Sequence, residues 1–291
     1  MDQKFLARTI SLVENEQEGY ENLLLSLKPS SAIPVIGITG PPGAGKSTLI
    51  NSLIKVLTGR GKRVGIVAVD PSSPFNFGSL LGDRLRMAEH FVNAKVFIRS
   101  LATRGSLGGL SAKIIEVLDV MKSADFDFIF VETVGVGQSE VEVAGLADVT
   151  VLVLVPEAGD EVQTLKAGIM EIADIFVVNK ADREGANVFA KNLLNLVHSR
   201  LGAGTEHQLE TAVIETEAIN NIGTEELISA IEKMVLHKVN SKRPYLLAEK
   251  AYRLIQNKRM KDIHKADLLK KIEVEAGRPG FNLYEFARRY S

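Results

Sequence analysis

Cysteine and tryptophan are both absent from this chain, and aromatic residues make up only 6% of its 291 positions. Without cysteine there are no disulfides and no thiolate ligands, so any bound metal has to be held by oxygen or nitrogen. An excess of one charge is missing too. With 35 basic and 36 acidic residues the net charge is −1, which gives a polyanion no footprint, and nucleic acid is not expected as a partner. No window approaches the roughly 20 apolar residues of a membrane-spanning helix. The stretch Met1 to Gln17 mixes charges among its apolar residues, unlike a signal peptide. These absences point to a cytoplasmic protein that does not engage a membrane. The histidines His90, His198, His207, His237 and His264 are scattered, which argues against a transition-metal centre.

What is present is an ordinary globular composition, 45% apolar, with enough material for one sizeable core. Residues Asp2 to Leu27 carry apolar side chains at roughly helical spacing, and Lys28-Pro29-Ser30-Ser31 follows as a linker. From Pro34 onward short β-branched runs alternate with amphipathic segments. Strands are expected at Pro34–Thr39, Val64–Val69, Lys95–Arg99, Phe126–Val131, Val149–Val155, Ile175–Val178 and Ala212–Ile214. Helices are expected around Ser47–Thr58, Leu107–Ser123, Glu161–Glu171, Asn187–Leu201 and Thr224–His237. The pattern is that of a doubly wound α/β protein with a mainly parallel sheet, whose ligand sits at the carboxyl ends of the strands. After Asn240 the texture turns to Lys and Arg among Leu and Ile with no strand signal. The expected division is a helical extension over 1–30, an α/β domain over 31–240 and a second helical extension over 241–291.

Between the first strand and its helix lies Gly40-Pro41-Pro42-Gly43-Ala44-Gly45-Lys46-Ser47-Thr48, a G-x-x-x-x-G-K-[ST] phosphate loop in its proper strand–loop–helix context. Glycines let the loop turn its N–H groups inward, and the helix adds its positive N-terminus, forming an anion hole. Lys46 is expected to bridge β and γ oxygens, and the Ser47 hydroxyl to ligate Mg²⁺. Far downstream, Asn179-Lys180-Ala181-Asp182 follows a strand. The Asp182 carboxylate can accept from both N1–H and the 2-amino group of guanine. Adenine would set a lone pair against it, a mismatch of a few kcal/mol, on the order of 10²-fold. GTP is therefore expected over ATP, with Glu217-Ala218-Ile219 backing the base.

Carboxylates complete the site. Asp70 ends the second strand before Pro71, and Asp83 follows a Gly/Pro/Ser-rich stretch able to close over a γ-phosphate. Glu132 opens Glu132-Thr133-Val134-Gly135, in the place where many GTPases carry D-x-x-G, so Glu132 can reach Mg²⁺ or its waters and the Gly135 amide the γ-phosphate.

Together with Val131-Glu132-Thr133-Val134-Gly135-Val136-Gly137-Gln138-Ser139-Glu140, these motifs resemble the MeaB/ArgK/MMAA family of P-loop GTPases, of the SIMIBI type. The resemblance runs from about residue 5 to 240. It implies a G-protein chaperone of an adenosylcobalamin-dependent acyl-CoA mutase, of the methylmalonyl-CoA mutase type, which gates cofactor delivery and protects the enzyme. It also implies a homodimer with helical extensions, GTP or GDP as bound nucleotide with Mg²⁺, slow intrinsic hydrolysis, and catalytic roles for Lys46, Asp83 and Glu132. Ser47, Asp70, Asp83 and Glu132 match the family's metal and phosphate residues, and Asp182 its base reader. Where the family has a Ser-Ala-Leu backing loop, this chain has Glu217-Ala218-Ile219. Three alternatives stand beside this one: a P-loop ATPase or kinase linked to arginine and ornithine transport, a nickel-insertion GTPase lacking its Cys and His ligands, and a binding module without turnover.

Overall fold

The apolar runs form seven parallel strands, and their helices cover both sheet faces. The computed structural model describes residues 2–70, 87–102, 113–133, 139–158, 173–201, 212–237, 243–260, 262–263, 265–278 and 280–290. The strands are β1 (Val35–Thr39), β2 (Val64–Asp70), β3 (Val96–Ala102), β4 (Phe128–Glu132), β5 (Val149–Leu154), β6 (Ile175–Asn179) and β7 (Ala212–Thr216). They lie in the order β3-β2-β4-β1-β5-β6-β7, with β1 central. Register pairs Ile38 with Glu132 and Asn179 with Thr216, so the strand ends that carry the motifs emerge along one edge of the sheet. The helices are α1 (Gln3–Glu14), α2 (Tyr20–Ser26), α3 (Lys46–Gly59), α4 (Ile114–Lys122), α5 (Ser139–Leu146), α6 (Ala186–Leu201) and α7 (Thr224–His237). The helix expected from Leu107 is described only from Ile114, and that expected over Glu161–Glu171 lies outside the described residues.

Strand periodicity sorts the core into two layers. Ile36, Ile38, Val64 and Ile66 join α3 and α7 residues Leu49, Leu53, Leu227 and Ile228 in one cluster. Val35, Val67 and Val69 face the other way, into a cluster with Val117 and Met121 of α4. Leu6, Ile10 and Val13 of α1 enter that second cluster at helical spacing, each at most 1% exposed. Burying each such side chain contributes about 2 kcal/mol, so α1 is part of the core layer. It is fastened by polar contacts as well. The Gln3 amide donates to the Ala94 and Val96 carbonyls at 3.1 and 3.0 Å. Arg99 on β3 donates to Ser11 Oγ at 3.1 Å and pairs with Glu14.

Residues 1–240 form one compact unit and residues 241–291 a second. The second is built of α8 (Arg243–Arg259), α9 (Lys265–Glu275) and α10 (Leu283–Arg288). Within it Phe286 is buried, its ring tilted against those of Phe281 and Tyr290, while Tyr245, Leu247, Tyr252 and Leu254 stay exposed. No described helix is long and apolar enough to cross a membrane.

Candidate functional site

The glycine-rich loop lies where β1 stops and α3 starts, at the centre of the sheet. Gly45 has φ +88°, and a Cβ there would lie 2.4 Å from Asn179 Nδ2, so glycine is required both by conformation and by the approach of Asn179. Gly40 has φ +141°, with a Cβ position 2.1 Å from the Val153 carbonyl oxygen. The Lys46 ammonium, 7% exposed, donates to the Gly40 and Pro41 carbonyls at 2.8 and 3.1 Å, curling back over its own loop. A buried cation beside the N-terminus of a fourteen-residue helix makes a strongly anion-attracting corner.

Ser47 Oγ donates to Glu132 Oε1 at 2.7 Å, and the two residues are each 4% exposed. The strand-end glutamate thus reaches the phosphate-loop serine across the β1–β4 pair. Beside it Thr133 Oγ1 donates to Thr39 Oγ1 at 3.1 Å. Two hard oxygen ligands held together at the foot of an anion site fit Mg²⁺, which takes oxygen ligands and keeps waters. The structure describes Asp70 only as the last residue of β2, and Asp83 and Gly135 lie outside the described residues. Among the described residues no group of three or more His, Asp or Glu forms a metal cluster.

At the other end, Asn179 closes β6 and is 2% exposed. Its Nδ2 donates to the Ala44 carbonyl at 2.9 Å, while its Oδ1 accepts from Thr216 Oγ1 at 3.1 Å and from the Ala218 N–H at 3.2 Å. One amide therefore joins the phosphate loop, the end of β7 and the loop beyond it. Lys180 adopts φ +60°, uncommon for a residue with a side chain, and its ammonium donates to the Gly43 carbonyl at 2.9 Å. A cavity of about 110 Å³ opens here, lined by Gly45, Thr48, Asn179, Lys180, Asp182, Glu217, Ala218, Ile219 and Asn220. The Asp182 carboxylate faces solvent at its rim, ready to accept from a planar donor edge.

The structure thus brings Gly40 to Thr48, Glu132, Asn179, Lys180, Asp182 and Glu217 to Ile219 to one end of the sheet. Motif reading missed Thr216 and Asn220. Thr216 ends β7 opposite Asn179, a register that becomes visible only when the strands pair. Asn220 donates from Nδ2 to Glu217 Oε2 at 3.2 Å inside a turn without a sequence signature.

A parallel sheet with a phosphate loop on its central strand, a metal-type carboxylate on the neighbouring strand and an N-K-x-D loop two strands away defines a P-loop GTPase. The family model for methylmalonyl Co-A mutase-associated GTPase MeaB matches residues 6–277, and the chain belongs to that family. A putative GTPase of Pyrococcus abyssi is 44% identical over the whole of this chain and 88% of its own length. The mouse methylmalonic aciduria type A homolog, a mitochondrial protein, is 48% identical over half of this chain and 35% of its own length. Among solved structures, one described as a LAO/AO transport system kinase shares the fold at a TM-score of 0.69, with 23% identity, covering 99% of this chain and 92% of that one.

Proposed function

We propose that the cavity between Thr48 and Asp182 receives guanine while residues 40–48 grip the triphosphate, and that the chain turns over GTP to GDP and phosphate. The observation that carries this reading is the Asn179 amide, which ties the phosphate loop to the base-side loop and so sets one cavity against both motifs. The N–H groups of residues 43–48 and the Lys46 ammonium stabilise charge on the β and γ phosphates as water attacks in line. Ser47 and Glu132, with Asp70 and Asp83, are the residues that would hold Mg²⁺. The metal would supply further charge neutralisation at the phosphates. Asp182 accepts from N1–H and the 2-amino group. Calorimetric titration tests the reading: GTP and GDP should bind on the order of 10²-fold tighter than ATP, and equal binding of ATP would overturn it.

The partner is an adenosylcobalamin-dependent acyl-CoA mutase, whose cofactor loading this GTPase gates. The family's description and the name of the mouse relative support this assignment. A second copy of the chain would cover the exposed Tyr245, Leu247, Tyr252 and Leu254 of the 241–291 unit. Co-purification with such a mutase, followed by phosphate-release assays, checks the assignment. The mutase should raise GTP turnover, and a mutase that neither binds nor stimulates would remove it.

A further inference from the structure

A pair of buried hydroxyls stands behind the site, and none of the nucleotide contacts accounts for it. Ser52 on α3 is 1% exposed, Thr224 at the start of α7 is fully buried, and their Oγ and Oγ1 atoms are 2.6 Å apart. The inward neighbours on the same two helices, Leu49, Leu53, Leu227 and Ile228, belong to one apolar cluster. Desolvating two hydroxyls in such a place costs about what their mutual bond returns, and apolar residues would pack equally well. Stability alone gives no reason for the pair.

Its position does. The base-side loop closes on itself through Glu217 N–H to the Ile222 carbonyl at 3.1 Å and Ile222 N–H to the Glu217 carbonyl at 3.3 Å. Gly223 follows at φ +74°, where any Cβ would lie 2.2 Å from the Glu215 carbonyl oxygen, and Thr224 comes next. The loop is stiff within itself, so what remains to be set is its placement as a body. On the cavity side Asn179 does this by accepting from the Ala218 N–H. Behind the loop, Thr224 ties it to α3, the helix that carries the phosphate loop. That helix is sunk in the core along Leu49, Ile50, Leu53, Ile54 and Leu57, whereas the loop exposes Ile219 at 84% and Ile222 at 54%. Cutting the bond leaves Ala218, 6% exposed in the same cluster, as the loop's remaining hold behind the cavity, and so loosens the loop rather than the helix.

We propose that the Ser52–Thr224 hydrogen bond positions the 217–222 loop over the base and so sets guanine affinity without touching nucleotide. The inference rests on the reading of the cavity as a guanine pocket. The test is calorimetric titration of the full chain with Mg²⁺ against three probes: GTP, ATP and inorganic tripolyphosphate, which makes phosphate contacts alone. Ser52→Ala and Thr224→Val should each weaken GTP by about 3- to 10-fold, the effect of one neutral hydrogen bond, and leave tripolyphosphate unchanged. The double variant should lose no more than either single one, and Thr224→Ser, which keeps the hydroxyl, should retain wild-type GTP affinity. If GTP and tripolyphosphate weaken together, or if neither moves, the positioning role is overturned. Should Thr224→Val fail to fold, Ser52→Ala, which removes a single atom, decides alone. A wild-type chain that fails to prefer GTP over ATP overturns the guanine pocket and this proposal with it. A wild type with the preference and variants that match it overturns the tie only.

Discussion

Lys46, Ser47 and Glu132 are each less than a tenth exposed, whereas Asp182, Ile219 and Asn220, at the far end of the same cleft, lie open to solvent. The phosphate end is set between β1 and β4 at the middle of the sheet, and the base end hangs on β6 and β7 at its margin. Folding the core therefore builds the phosphate end directly, because its side chains are core residues with polar tips. The base end is a pair of loops whose identity can change while the sheet stays as it is. In the proposed function, turnover belongs to the first and the choice of base to the second. Asn179 is the joint, buried like the first and reaching into the second.

The sharpest way to break this division is at its buried end. Lys46→Ala removes the cation that the proposed function sets against the transferred phosphoryl group, and phosphate release should fall by at least about 10²-fold, with the preference among bases retained in binding. A fully active variant would discredit the phosphate loop. Next in size is the joint itself. Asn179→Ala strips partners from the Ala44 carbonyl, the Thr216 hydroxyl and the Ala218 N–H at once. Unpaired buried groups of this kind cost about 3 kcal/mol in sum. Denaturant unfolding should show that loss, and nucleotide titration should show affinity and base preference falling together. A change in only one of them would mean that the two ends are not joined here. Smaller again is Asp182→Asn, an exposed change that should leave the unfolding midpoint in place. It replaces an acceptor with a donor, so GTP should weaken by roughly 30-fold while xanthosine triphosphate gains. Unchanged base preference in competition binding would remove the carboxylate from base reading.

The same contrast between core and margin governs which features the amino-acid sequence discloses. All seven strands are legible because a parallel sheet covered on both faces demands unbroken apolar runs, and Val35–Thr39 and Val149–Leu154 are buried at every position. The phosphate loop and N-K-x-D are legible because the chemistry of each is written in consecutive residues. The joins between them are not. Asn179 meets Ala44 across 135 positions and Thr216 across 37, and Ser52 meets Thr224 across 172. Such contacts follow from strand order, which local spacing does not specify. The 310 turns Ala88–His90, Pro156–Ala158 and Ala218–Asn220 also leave no signature, being too short to show a period. The amino-terminal helix is legible as a helix. Its entry into the core becomes visible only with α4 beside Leu6, Ile10 and Val13.

The smallest expected effect lies outside both ends of the cleft, and for that reason it serves as a control on the comparison. His90 is 6% exposed, and its Nε2 has no hydrogen-bond partner among the described residues. Glu89 stands 3.7 Å away and is itself paired with Lys55 at 3.1 Å. Burial pushes the imidazole below its ordinary value of 6.5, Glu89 draws it back up in part, and Lys55 adds to the lowering. The unfolded chain therefore takes up a proton that the folded chain resists. Stability is complete above the unfolded value near 6.5 and is lost as pH falls through the lower folded one. The slope contributed by this one group is at most about 1.4 kcal/mol per pH unit. Denaturant midpoints measured from pH 7.5 down to 5 should show this decline in the wild type, and His90→Gln should flatten it. Neither GTP affinity nor the preference over ATP should respond to the substitution at pH 7.5, because His90 touches neither Asn179 nor the residues it joins. A shift in either would mean that the phosphate end is coupled to the β2–β3 side of the sheet, and the division at Asn179 would have to be redrawn to include it.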